Sequence, residues 1–119
     1  MNNNTPMFTQ VNALFGLLSE EIHKNAVEHG WWDEPREDGT CIALMHSELS
    51  EALEALRHGN QLSDHIGDEG YSGLEEELAD VIIRIFDFAA HKNINVGGAL
   101  VAKHEFNKKR PYRHGGKAF

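Results

Sequence analysis

Glu75-Glu76-Glu77-Leu78-Ala79-Asp80-Val81-Ile82-Ile83 runs three consecutive carboxylates straight into the most apolar helical stretch of the chain. At about 100° per residue, Leu74, Leu78, Val81, Ile82, Ile85, Phe88 and Ala89 fill one arc of a helix. Glu77 and Asp80 are three apart, so they share a face, and they fall on the rim of that arc beside Val81 and Phe88. A carboxylate on such a rim is partly desolvated, which is costly unless something pairs with it.

Working back along the chain, the stretch 40–57 repeats the arrangement. Ile42, Met45, Leu49, Ala52, Leu53 and Leu56 form an apolar arc, with Glu48 and Glu51, again three apart, on its rim. The rims are offset in the same rotational sense. Antiparallel packing of the two helices would therefore bring both pairs to one side of the seam, and the short connection favours that packing. Four acidic groups meeting there repel one another unless a cation joins them. All-oxygen ligation suits Mg²⁺ or Mn²⁺.

Two more helices flank this pair. Phe8, Val11, Phe15, Leu18 and Ile22 recur at three- and four-residue spacing, which predicts an amphipathic helix from 8 to about 28, ended by Gly30. A loop from 31 to 39 carries Pro35, and the second helix runs from about 40 to 58 and stops at Gly59. Residues 60–72 read as a loop with at most one short turn, and Ser72-Gly73-Leu74-Glu75 fits a capping box that starts the third helix, which continues to about Lys92. Asn95 is placed to cap a fourth helix from Val96 to about Lys109, weakened by Gly97 and Gly98 and stopped before Pro111. No stretch alternates with period two. The expectation is an all-α, four-helix, bundle-like single domain over 1–119, with a frayed start at 1–7 and a basic, Gly-rich tail at 113–119. Ile83 and Phe86 lie outside the core arc of the third helix, which predicts burial on both sides and hence a homo-oligomer.

Composition narrows the function classes. A formal charge of −8 argues against a nucleic-acid partner held by general electrostatics. The lone cysteine, Cys41, fits a reducing compartment. The Asn-rich start shows no signal-peptide pattern, and Arg84 interrupts the apolar run at 81–83, so neither export nor a membrane span is expected and the cytoplasm is the default location.

Two further groups of residues carry chemistry. Lys103 and Asn107 share a helical face and Arg110 follows, so together they can grip phosphates or a sugar hydroxyl; the bland reading is a solvated basic helix end favoured by the helix dipole. His23, Trp31 and Trp32 form the other group. An indole in a loop, as at Trp32, can stack on a base, against the bland reading of a core or interface tryptophan and a surface histidine. Arg84 shares the stripe of Glu77 and Asp80, where an ion pair holding a carboxylate is its simplest role. Asp87 and His91 extend that stripe as supporting residues.

The pattern Glu48-x-x-Glu51, a spacer at 52–76, then Glu77-x-x-Asp80 resembles the MazG-like superfamily of all-α nucleoside triphosphate pyrophosphohydrolases, which includes dimeric dUTPases and dCTP pyrophosphatases. The likeness extends through His46-Ser47-Glu48-Leu49-Ser50-Glu51-Ala52-Leu53-Glu54-Ala55 and Glu76-Glu77-Leu78-Ala79-Asp80-Val81-Ile82-Ile83-Arg84 to Lys103, Asn107, Arg110, Pro111 and Tyr112. The resemblance implies Mg²⁺ held by Glu48, Glu51, Glu77 and Asp80. It implies cleavage of a nucleoside triphosphate between the α- and β-phosphates, a house-cleaning role, and subunits paired as dimers or tetramers. Glu48 or Glu51 would orient or deprotonate the attacking water. A His and a Trp upstream of the first motif form the base pocket in dCTP pyrophosphatase-like members, and His23 and Trp32 have similar spacing to Glu48. Two rivals are weighed against this. A di-iron carboxylate bundle requires two E-x-x-H helices, and only Glu20-x-x-His23 is present on the long helices. A non-catalytic helical interaction module would use the carboxylates as surface charge only.

Overall fold

A computed structural model describes residues 6–111. The tail expected at 113–119 lies outside them, as does most of the expected frayed start; Pro6 and Met7 are already helical. Four helices follow in order: α1 (Pro6–Glu28), α2 (Asp38–Arg57), α3 (Gly73–Lys92) and α4 (Val96–Lys108), with a single 3₁₀ turn at Gly67–Glu69 between α2 and α3. Among the described residues there is no strand, only an isolated bridge between Leu62 and Ser72. No helix among them is long and apolar enough to cross a membrane.

The local signals are seen at work. Ser72 accepts from the backbone of Glu75 while the Glu75 carboxylate accepts from the backbone of Ser72, closing the capping box of α3. The Asn95 side chain accepts from Gly98 N at 2.9 Å and starts α4. α2 begins two residues earlier than its apolar periodicity suggests, at Asp38, whose carboxylate meets Lys92 at 3.1 Å.

That contact fixes the direction of the central pair. Asp38, at the start of α2, meets the end of α3, Glu48 meets Arg84 midway, and Ala55 lies beside Gly73 at the other end. α2 and α3 are therefore antiparallel neighbours. α1 lies along α3, and α4 packs on α1. The α1–α4 crossing is close because of Gly97: a Cβ there would stand 2.8 Å from that of Phe15. The glycine that weakens α4 on propensity is thus the residue that lets the two backbones approach.

Packing differs from the expected arcs. Phe86, placed outside the core arc by the helical wheel, is buried against Phe15 of α1, ring centroids 5.2 Å apart, and Ser19 Oγ donates to its carbonyl at 2.5 Å. Leu78 and Ile82, placed in the core, are 43% and 50% exposed. The arc of α2 behaves the same way: Leu49, Leu53 and Leu56 are exposed while Cys41, Glu48 and Ala52 are buried. The wheel identifies apolar faces, but which face a neighbour covers depends on where the other helices lie. Here α1 covers the Phe86 side, and the leucine ridge of α2 is left to solvent.

Candidate functional site

α2 brings Glu48 and Glu51 to the seam, and α3 brings Glu76, Glu77 and Asp80. Oxygen atoms of Glu48, Glu51 and Glu77 lie within 4.8 Å of one another, and so do those of Glu76, Glu77 and Asp80. Glu77 belongs to both groups and is the hub. Three of the four expected carboxylates thus converge in one group, and Asp80 joins through Glu77 and through electrostatic contact with Glu48. Glu76 was not singled out in sequence; the Glu75-Glu76-Glu77 run was its only signal.

The energetics of the cluster follow from burial and like charge. Burial first, and then Glu51 and Glu48, push the Glu77 carboxyl up to about 7. Glu77 Oε2 is buried and has no hydrogen-bond partner. Asp80 is also raised, by burial first and then by Glu48. Glu76 moves the other way: the Ser63 hydroxyl donates to its Oε1 and His65 Nδ1 meets its Oε2 at 2.8 Å, which lowers it. Glu48 is the most buried carboxylate, 9% exposed, and takes a charge-assisted bond from Arg84 Nε to Oε1 at 2.8 Å. A set of carboxylate oxygens, one of them buried and unpaired, fits a hard divalent cation.

Two cavities flank the carboxylates. One, of about 560 Å³, is lined by Glu48 and Asp80 together with Ile22, Asn25 and Ala26 of α1, Trp31 and Arg36 of the following loop, and Ile83 and Arg84 of α3. The other, of about 590 Å³, has Glu51 and Glu77 on its wall together with His58, His65 and the loop around Ser63. The cluster therefore stands between an aromatic compartment and a polar one.

The two tryptophans take different places. Trp32 donates its indole N–H to Asp87 at 2.9 and 3.2 Å, and its ring stacks on His91 at 3.8 Å and 11°. His23 Nδ1 donates to the same carboxylate at 2.7 Å. His23 and Trp32 thus share the Asp87 carboxylate, and His91 packs its ring on Trp32, which is held by these neighbours. Trp31 is the exposed indole on the cavity wall, 46% accessible, with the guanidinium carbons of Arg36 and Arg84 at 5.1 and 5.6 Å from its ring centroid. Adjacent loop residues carry no periodic signal to tell them apart in sequence, and nothing in sequence marked Arg36. Lys103, Asn107 and Arg110 are exposed, and none of them lines either cavity; Lys103 Nζ lies over Phe106 of its own helix at 4.7 Å. Lys103 and Asn107 stand on α4, and Arg110 lies just past its end.

No family model, curated protein or solved structure matches the chain.

Proposed function

We propose that this chain is a Mg²⁺-dependent nucleoside triphosphate pyrophosphohydrolase, with Mn²⁺ as a substitute, that cleaves its substrate to monophosphate and pyrophosphate in a nucleotide-clearing role. The observation that carries the reading is the unpartnered, buried Glu77 Oε2 at the meeting point of the carboxylates, beside a cavity walled by an exposed indole. Glu48, Glu51, Glu77 and Asp80 would hold the cation. When bound, Mg²⁺ would offset the charge of the triphosphate, stabilise the leaving pyrophosphate and acidify a water.

The chain's own residues divide the remaining work. Trp31, with Ile22 and Ala26, offers a flat apolar wall for a base, and Asn25 offers a polar edge beside it. Glu48 is buried and committed to Arg84, whereas Glu51 is exposed, so Glu51 is the better placed of the two to accept a proton from the attacking water. Base–aromatic stacking is worth about 1–3 kcal/mol. Trp31→Ala is therefore expected to raise KM about 10-fold with kcat nearly retained, measured by pyrophosphate release. Trp32→Ala instead loosens the Asp87 cluster and lowers the melting temperature.

A second copy of the chain completes this picture. Lys103, Asn107 and Arg110 reach neither cavity within one subunit, and Leu49, Leu53, Leu56, Leu78 and Ile82 form uncovered ridges on α2 and α3. Sedimentation equilibrium at micromolar concentration is expected to give a dimer or tetramer, and Leu53→Glu to shift it toward monomer. A wild-type monomer would remove this part of the reading.

The decisive experiment is pyrophosphate release from a panel of canonical and modified nucleoside triphosphates, with Mg²⁺ and with EDTA. Turnover on at least one, abolished by EDTA, is expected. Folded protein with Mg²⁺ that turns over none of them would overturn the enzyme and leave a helical association module.

A further inference from the structure

We propose that Arg84 is a positioning residue that couples occupancy of the carboxylate cluster to occupancy of the Trp31-walled cavity. The inference rests on the reading of the site given above. Arg84 stands one helical turn beyond Asp80 on α3 and is about a quarter exposed. Its Nε donates to Glu48 Oε1 at 2.8 Å while its Cζ lies 5.6 Å from the Trp31 ring centroid. One planar guanidinium therefore touches a carboxylate of the cluster and the aromatic wall of the cavity at once. A rigid fork cannot adjust to one of these partners without moving against the other.

The bond to Glu48 divides the labour of that carboxylate. Oε1 accepts from Arg84 Nε, and Glu48 also has an oxygen within 4.8 Å of oxygens of Glu51 and Glu77, so this carboxylate would serve the guanidinium and a cation together. Glu48 is in turn the countercharge that holds the guanidinium in place. Were Glu48 to share its charge with a cation, less of it would be left for Arg84, and the remaining guanidinium donors would be freer to meet an anion in the cavity Arg84 lines. The converse also holds. A phosphate monoester in the cavity gives Arg84 a replacement anion and releases Glu48 toward the cation. Each ligand lowers the cost of the other, and the two effects are equal by linkage. Arg36 gives a comparison within the same cavity. It lies as close to Trp31 as Arg84 does, at 5.1 Å, yet its contacts are to Trp31 and Trp32 and not to the carboxylates.

The test is a pair of binding titrations on the full chain, with no turnover involved. Free Mn²⁺ is followed by electron paramagnetic resonance, with and without nucleoside monophosphates bearing each common base. In the wild type, a bound monophosphate is expected to tighten Mn²⁺ about 10-fold, and Mn²⁺ to tighten the monophosphate by the same factor. Arg84→Gln should still bind Mn²⁺ alone but reduce the factor below about 2. Arg36→Gln should keep the full factor. If Arg84→Gln does not fold, as judged by circular dichroism, Arg84→Lys carries the same test with an expected factor of about 3, since a point charge lacks the fork. A wild-type protein that binds both ligands independently would overturn the proposal, and so would a folded Gln or Lys variant with an undiminished factor. A wild type that binds neither Mn²⁺ nor any monophosphate would instead fell the pyrophosphohydrolase reading itself, and this proposal with it.

Discussion

Glu77→Gln is expected to lower pyrophosphate release by at least about 100-fold and, in EDTA, to make the protein more stable than the wild type. The two effects have one origin. Glu77 is the carboxylate common to both acidic groups, and it is the one with a buried oxygen that nothing satisfies. Its charge is opposed by burial and by Glu51, Glu48 and Asp80, so the folded protein gains when that charge is removed. Glutamine keeps the shape, drops the charge, and turns an oxygen into an N–H₂ that can donate to Glu51 or Glu48. A gain of about 1 kcal/mol in the metal-free protein is the expected scale for relieving such a site. The same change removes a ligand from the cation site, and even changes beside a metal cost about 10–100-fold. Glu48→Gln separates the two effects. It should also abolish turnover, but it leaves the Arg84 guanidinium without its carboxylate, so it should destabilise by about 1–2 kcal/mol. Asp80→Asn is expected to follow Glu77→Gln, since Asp80 too is raised by burial first. Thermal melts in EDTA beside turnover at saturating Mg²⁺ would check all three. A Glu77→Gln protein that turned over normally, or that melted earlier than wild type without metal, would remove Glu77 from the centre of the site.

The helices and the acidic seam were legible in sequence because each depends on short-range geometry. Ser72 and Glu75 cap α3 across three residues, Asn95 caps α4 the same way, and a spacing of three places Glu48 with Glu51 and Glu77 with Asp80 on shared faces. What escaped depends on partners distant along the chain. Trp32 is tied to Asp87 and His91, and Glu76 to Ser63 and His65, so neither the clamped indole nor the paired, ionised glutamate is visible in its own surroundings. The apolar arcs did not predict the core: Phe86, outside the arc of α3, is buried and Leu78, inside it, is exposed, because coverage is set by the position of α1. Lys103, Asn107 and Arg110, expected to grip phosphates, line neither cavity. Their helix packs on α1 alone among its larger contacts.

Without divalent cations, the folded chain is expected to lose stability as pH rises from about 4.5 to about 7, and saturating Mg²⁺ should flatten or reverse that slope. The sign follows from proton counting. Folding raises the Glu77 carboxyl from 4.5 to about 7, so between those values the native state holds a proton that the unfolded chain has released. Stability then falls with pH, because the unfolded state binds fewer protons than the native one. The contribution is full below about 4.5 and gone above about 7. A shift of this size corresponds to about 3 kcal/mol at most and, after solvent screening, to about 2. Asp80, raised from its ordinary 3.8 by burial and then by Glu48, adds in the same direction. His65, raised by Glu76, contributes stability below its ordinary 6.5 that is lost as pH rises through its folded value. Glu76 is the opposing group: lowered by Ser63 and His65, it contributes stability above about 4.5 that is lost on acidification, so it acts on the acid limb and leaves the neutral range to Glu77 and His65. A cation selects the ionised cluster and stabilises by mass action only where Glu77 can release its proton, hence more at about pH 8 than at about pH 5. Urea denaturation at those two pH values, at fixed protein concentration, with EDTA and with Mg²⁺, measures the difference directly. Glu77→Gln should abolish most of the slope. If wild-type stability in EDTA instead rose between about pH 5 and about pH 7, Glu77 would already be ionised at low pH, its burial would be compensated by groups other than a cation, and the proposal that its unpaired oxygen holds metal would fail.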